Sequence, residues 1–265
     1  MHILFWVLAI ATGLMVLTGL WQIYASVRMY RYVVERLNEP LAPHQPPATI
    51  IQPWKGLEQG YEANMRHVLD QEYADKEVIF VVESEEDSAY EALSKMIASR
   101  PDVRARVVVA GKTKDCAQKI HNMIAGVKAA DPKSEIYAFV DSDARPPLEW
   151  LARLSTALQK DHVYVASGFR WYLPEKGGLA TAVRSSWNGL CASVMDPSIR
   201  VYCWGGSMAI RREKFDSMGV LDLWKGALSD DHSISQSVFR TGGKIAFVPQ
   251  AVIPSHEDCT WAAGL

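Results

Sequence analysis

The segment Glu135–Pro147, EIYAFVDSDARPP, joins two opposite kinds of chemistry. Its apolar run, Ile136–Val140, has the length of a strand covered on both faces, and it stops abruptly at Asp141-Ser142-Asp143 and two prolines. A strand of that kind belongs in a sheet flanked by helices, and it delivers two carboxylates to the carboxyl edge, where open α/β sheets bind ligands. Side chains of the two aspartates diverge, so one can reach a divalent cation while the other holds a nucleoside or orients the first. Oxygen donors of this type suit Mg2+ or Mn2+, which keep several waters and bridge a diphosphate. An isolated D-x-D is commonly a solvated turn, so the metal reading depends on companions elsewhere in the chain.

Outward from this segment the same alternation recurs. Ala48–Gln52 reads as a first strand ended by Pro53-Trp54-Lys55-Gly56, followed by a helix over Tyr61–Gln71. Glu77–Val82 is a second buried strand, running into Glu83-Ser84-Glu85-Glu86-Asp87 and a helix over Ala89–Ile97. Arg104–Ala110 and the helix Ala117–Ala130 follow, then Ile136–Val140 and the helix Leu148–Leu158. Strands and helices alternating at this spacing predict a parallel, doubly wound α/β sheet. Beyond Val163–Ser167 the pattern loosens into a long helix over Leu179–Met195, a short strand Met208–Ile210, a helix starting near Ser229 and a last strand Lys244–Val248. One nucleotide-binding half joined to one acceptor-binding half, within a domain spanning 48–265, accounts for this change.

The N-terminus is a different material. No charged residue occurs from Ile3 to Ala25, and roughly 23 residues rising about 1.5 Å each suffice to cross a bilayer. Trp6, Trp21 and Tyr24 lie toward its ends, where amphipathic rings favour the interface, and Arg28, Arg31 and Arg36 follow. The expectation is an uncleaved single-pass anchor over 1–26 with everything after it cytoplasmic. Residues 27–47 would form an amphipathic surface helix, Arg28–Glu39, and a linker marked by Pro40, Pro43, Pro46 and Pro47. A net charge of -2 gives no reason to expect a nucleic-acid partner, and four scattered cysteines suggest reduced thiols rather than a disulfide frame.

Three acidic stations stand out: Asp87 after the second strand, Asp141 and Asp143 after the fourth, and Asp230-Asp231 far downstream. Acids after an early strand can hold uracil or ribose, Lys119 can neutralise phosphate, and an aspartate opening a late helix can take a proton from an attacking hydroxyl. The bland alternatives are a helix cap for Asp230-Asp231 and a solvated helix position for Lys119. Gly205-Gly206 reads as a tight turn whose bare backbone also admits a close-lying acceptor. His256, in His256-Glu257-Asp258, is a weak candidate for a metal or pyrophosphate contact in a polar loop. Trp150, Trp171, Trp187 and Trp204 read as core or cleft-wall residues.

Several motifs in this order resemble the ceramide glucosyltransferases and their bacterial lipid- and hopanoid-glycosylating relatives, glycosyltransferase family 21 of the GT-A superfamily. The resemblance runs from about Ala48 onward and rests on QPWKG (52–56), VVESEEDSAY (81–90), GKTKDCAQKIHN (111–122), FVDSDARP (139–146), GGSMAIRR (205–212) and SDDHSIS (229–235). It implies a GT-A Rossmann-like domain, a UDP-sugar donor, Mg2+ or Mn2+, inversion at the anomeric carbon and a membrane lipid hydroxyl as acceptor. Asp87 matches the family's first aspartate, Asp141 and Asp143 its second acidic motif, and Asp231 its third and the general base. Asp143 and Asp141 would serve the metal, while Pro53, Lys55, Glu83, Asp87, Lys119, Asn122 and Asp141 fall on the donor side. Trp204, Gly205, Gly206, Ser207 and Asp230 fall on the acceptor side.

The family's Q-x-x-R-W motif and further membrane segments do not follow Asp231 before Leu265, so the expectation is either a fragment or shortened reading frame, or an acceptor site completed by something else. Arg170-Trp171 precedes the third aspartate, with Ser167 where the glutamine would stand, and is not read as a substitute. Two other functions share the same acids: polysaccharide synthesis, and UDP-sugar binding without catalysis.

Overall fold

The computed structural model describes residues 2–57, 60–174, 177–193, 195, 201–255 and 259–261. They fall into two units, one ending at Glu39 and one starting at Pro40.

The first unit is a single continuous helix, α1 (His2–Leu37), which takes in the apolar run and most of the segment Arg28–Glu39. Nothing in its sequence before Pro40 breaks the backbone hydrogen-bond ladder, so the apolar and basic parts share one rod. It is long and apolar enough to cross a membrane, and none of its apolar window is buried.

The second unit is built on a seven-stranded sheet of order β3-β2-β1-β4-β7-β5-β8. Its strands are β1 (Ala48–Pro53), β2 (Lys76–Val82), β3 (Ala105–Val109), β4 (Ile136–Val140), β5 (Val163–Ser167), β7 (Ser207–Arg211) and β8 (Lys244–Phe247). A separate parallel pair joins β6 (Arg170–Tyr172) to β9 (Ile253–Ser255). Intervening helices are α2 (Tyr61–Leu69), α3 (Ser88–Ala98), α4 (Gln118–Ala129), α5 (Trp150–Leu158), α6 (Leu179–Ser193), α7 (Arg212–Ser217), α8 (Val220–Trp224) and α9 (Asp230–Arg240). The apolar runs Ile50–Ile51, Val78–Val82 and Ile136–Val140 are buried throughout because helices cover both faces, as the sequence pattern required.

One strand corrects the expectation of a wholly parallel sheet. β7 runs antiparallel between β4 and β5, with Val140 opposite Ser207. Its amino end therefore lies at the same rim as the carboxyl ends of β1, β2 and β4. That reversal brings Gly205-Gly206 beside Asp141.

Two local features fix this rim. Gly126 lets α4 press onto β1 and β2, since a Cβ there would come within 2.5 Å of Ile51 and 3.1 Å of Val81. Trp150, wholly buried, donates from Nε1 to Ser207 Oγ at 2.7 Å, and that hydroxyl donates onward to the Ala251 carbonyl at 2.9 Å. Trp150→Phe keeps part of the apolar contact and takes away the donor to the Ser207 hydroxyl, which still donates to the Ala251 carbonyl. A loss of about 1 kcal/mol is expected by denaturant titration; an unchanged midpoint would show that the bond contributes nothing net.

The proline segment is docked rather than loose. Ala42 N donates to Thr156 Oγ1 at 3.1 Å, Gln159 Nε2 to His44 O at 2.6 Å and Tyr73 OH to Pro46 O at 2.6 Å.

Candidate active site

The rim of the sheet holds a connected set of charges. Asp141 sits one residue beyond β4, where Gln52 Nε2 donates to its carbonyl at 2.8 Å and Trp54 Nε1 fixes Gln52 Oε1 at 3.0 Å. Lys119, in the first turn of α4, reaches over the sheet edge to Asp141 Oδ1 at 2.7 Å and stands 3.7 Å from Asp230 Oδ1. Burial alone would lower the Lys119 ammonium, but Asp141 and then Asp230 outweigh it and hold it above the usual lysine range. Lys119 is therefore the cation that joins the acids after β4 to those opening α9.

Asp230 and Asp231 are adjacent in sequence and opposite in environment. Asp231 is well furnished: Oδ1 accepts from Ser229 Oγ at 2.5 Å and His232 N at 2.7 Å, and Oδ2 accepts from Gly205 N at 3.1 Å. Ser229 caps α9, accepting from His232 N at 3.3 Å. Asp230 is 6% exposed, and its Oδ2 is buried with no hydrogen-bond donor among the described residues. That oxygen occupies the space a side chain at Gly205 would need, 2.1 Å from an ideal Cβ. At Gly206 the same construction meets Asp141 Oδ2 at 2.4 Å, so the two glycines admit two carboxylates to the backbone.

Burial pushes the Asp230 carboxyl up, against the opposing pull of Lys119. The folded state then holds its proton more tightly than the unfolded chain, so this residue lowers stability as pH rises from the unfolded value through the folded one. Asp230→Asn is expected to raise the neutral-pH stability by roughly 1 kcal/mol, seen as a higher melting point, and to flatten that part of the pH profile. A lower melting point would mean that attraction to Lys119 exceeds the burial cost.

Asp143 is paired with Arg170 of β6, both side chains being about a fifth exposed (23% and 19%). Arg170 is the site residue that sequence reasoning passed over. Its signal was the GFRWY turn directly after β5, which only the β6–β9 pairing brings against Asp143. Asp87 caps α3, its Oδ1 accepting from Ala89 N and from Gly56 N at 2.9 Å each, which ties the PWKG turn to the end of β2. Lys55 is exposed there, Pro53 is the buried last residue of β1, and Glu83 lies 3.6 Å from Lys112.

Two expected contacts are corrected. Ser207 is wholly buried in mid-sheet with its hydroxyl engaged by Trp150 and Ala251, so it supports the rim rather than facing an acceptor. Asn122 is 2% exposed, accepting from Gln118 Nε2 at 2.8 Å and donating to Val81 O at 3.4 Å, and it braces α4 rather than facing a donor. Trp204 is half-buried, with Phe169 6.3 Å away between centroids, in keeping with a cleft wall. Trp187, 67% exposed, is no core residue. His256 lies outside the described residues. Burial pushes the Cys203 thiol up to about 12, so it packs as a neutral group between Ser235 Oγ and the Asp231 carbonyl.

The donor set can be tested against a divalent cation. Asp141 and Asp143 supply hard oxygens at a partly open rim, each side chain about a quarter exposed (24% and 23%). No group of three or more His, Cys, Asp or Glu among the described residues forms a protein cage. One or two carboxylates completed by phosphate and water is the usual arrangement for Mg2+, so these residues fit a cation shared with a ligand diphosphate.

Comparison with known proteins agrees with this geometry. The family described as Glycosyl transferase family 21 matches residues 2–264. Ceramide glucosyltransferase 1 of Caenorhabditis elegans is 20% identical over 235 residues, covering 86% of this chain and 50% of that protein, so the chain spans about half its relative's length. Among solved structures, the mannosyltransferase PcManGT from Pyrobaculum calidifontis, in complex with GDP-Man and Mn2+, superposes with a TM-score of 0.60 at 19% identity, over 88% of this chain and 65% of that one. GalNAc-T7 with UDP, GalNAc and Mn2+ gives 0.58 at 17% identity, over 81% and 44%. These likenesses establish a GT-A-like fold.

Proposed function

Since the chain belongs to glycosyl transferase family 21, we propose that it is a metal-dependent, inverting glycosyltransferase moving a hexose from a UDP-sugar to the hydroxyl of a membrane lipid. The observation that carries this reading is the Lys119 bridge, which gathers Asp141 and Asp230 at one rim while Gly205 N draws in Asp231. Acids distant in sequence thereby meet at one rim of the sheet.

Asp231 is the base. Its three hydrogen-bond donors orient the carboxylate, and as the hydroxyl attacks the anomeric carbon from the face opposite the leaving diphosphate, Asp231 takes its proton. Lys119 and Arg170 are the fixed cations nearest the D-x-D, and they counter negative charge as the UDP departs. Asp143 and Asp141 would hold a divalent cation, which would supply further positive charge beside the departing diphosphate. Asp87 and the PWKG turn bind the nucleoside side. In this reading the apolar helix α1 keeps the domain at the bilayer, and the positive-inside rule, applied to the arginines after Ala25, supports the cytoplasmic side.

Membranes containing the full-length chain, given labelled UDP-glucose, should place label in extractable lipid and lose that activity with chelator. Label in insoluble polymer would favour the polysaccharide reading, and UDP-sugar binding without transfer would favour a non-catalytic binder.

A further inference from the structure

We infer that α6 is an interfacial helix whose outer face enters the lipid surface beside the active site. Leu179, Val183, Trp187 and Leu190 recur at helical spacing and form one stripe, exposed by 73%, 40%, 67% and 61%. The opposite face is committed to the domain. Thr181 is 1% exposed, donates to Cys259 O at 3.1 Å and accepts from Cys259 N at 2.9 Å, while Asn188 is 9% exposed. The helix is thus held rigidly with its apolar side outward.

Three observations select lipid as the occupant. First, charge: no carboxylate occurs from 177 to 195, and Arg184 is the sole charged residue there, so an anionic lipid surface meets no repulsion. Second, composition: tryptophan and leucine with one arginine are the side chains interfacial helices use, indole being favoured at headgroup depth. Third, the same chain carries α1, a helix able to span a bilayer, which keeps the domain at high local concentration near lipid.

The helix also reaches the chemistry. Asn188 Nδ2 donates to Arg170 O at 2.9 Å and its Oδ1 accepts from Tyr172 N at 3.2 Å, so α6 grips the strand whose Arg170 pairs with Asp143. Tyr172 is flanked by Arg184, 4.3 Å from its ring centroid, and Arg170, 5.5 Å away. A lipid lying against α6 has its polar end next to that strand. Resting on the lipid-acceptor reading above, an acceptor held at α6 would present its hydroxyl beside the strand whose Arg170 pairs with Asp143, its chain staying in the bilayer.

The test uses the full chain in nanodiscs with Cys116→Ser and Cys191→Ser, carrying a bimane label at Trp187→Cys or Val183→Cys, and at Lys95→Cys on α3 as an aqueous control. Lipids with a doxyl group on the acyl chain should quench positions 187 and 183 several-fold more than position 95. Equal weak quenching at all three positions overturns the inference. A blue-shifted label at 187 that doxyl lipid does not quench overturns it too, since a second copy or another protein would then cover the face. Strong quenching with no sugar transfer to lipid keeps the interfacial helix and rejects the acceptor reading, so the two fail separately.

Discussion

Asp231→Asn should cut kcat for sugar transfer by about 1000-fold while leaving UDP affinity within a few-fold, the range expected when a general base is removed. The asymmetry follows from position. Asp231 touches Gly205 N, Ser229 and His232, all on the side of the rim built by β7 and α9, whereas Lys119, Asp141 and Asp143 make up the proposed donor side. Asparagine has nearly the same shape but cannot accept a proton from an attacking alcohol. It also sets an NH2 against one of three existing donors, so a melting curve must accompany the kinetics. A variant that is folded and transfers sugar at the normal rate would remove Asp231 from the mechanism. Asp230 would then be the next candidate, because burial already pushes its carboxyl up.

Asp143→Ala should abolish the metal dependence of donor binding. Calorimetry of UDP with and without Mn2+ is expected to show a gain in affinity for the unaltered protein and a value about 100-fold weaker in the variant under saturating metal, since even indirect supports of metal ligands are worth 10–100-fold. Arg170 complicates the reading usefully. In the folded protein it already neutralises Asp143, so a cation that binds this carboxylate must share or displace the guanidinium. Arg170→Gln should therefore tighten Mn2+ binding in the absence of nucleotide and weaken UDP binding in its presence. Identical UDP affinity with and without metal, in both the unaltered protein and Asp143→Ala, would take the D-x-D out of the cation site.

Much of this arrangement was readable in the residue order. Ile136–Val140 ending in Asp141-Ser142-Asp143 reads as a buried strand stopping at the edge of a sheet, and it is wholly buried as β4. The helices read after Asp87 and near Ser229 are present, capped by Asp87 and by Ser229, so the cap considered for Asp230-Asp231 falls one residue earlier. Other features depended on distant pairings. β6 and β9 are three residues each, too short for a periodic signal, and they form only because residues about eighty apart meet. Arg170 was accordingly invisible as a partner for Asp143. Ser207 and Asn122 matched motif positions yet are braces, because burial depends on which strands and helices flank them.

The sequence by itself determined the alternation of buried strands and helices, the apolar N-terminal helix and the identity of the acids, since each follows from local periodicity and side-chain chemistry. Only the tertiary structure decided how those acids are placed and paired. The antiparallel insertion of β7 set Gly205 and Gly206 against Asp230 and Asp141, and Lys119 spanned the gap between them. The physical reason is that a carboxylate's role depends on its burial and its hydrogen-bond donors. Here those donors come from elements up to a hundred residues apart, which no local pattern records.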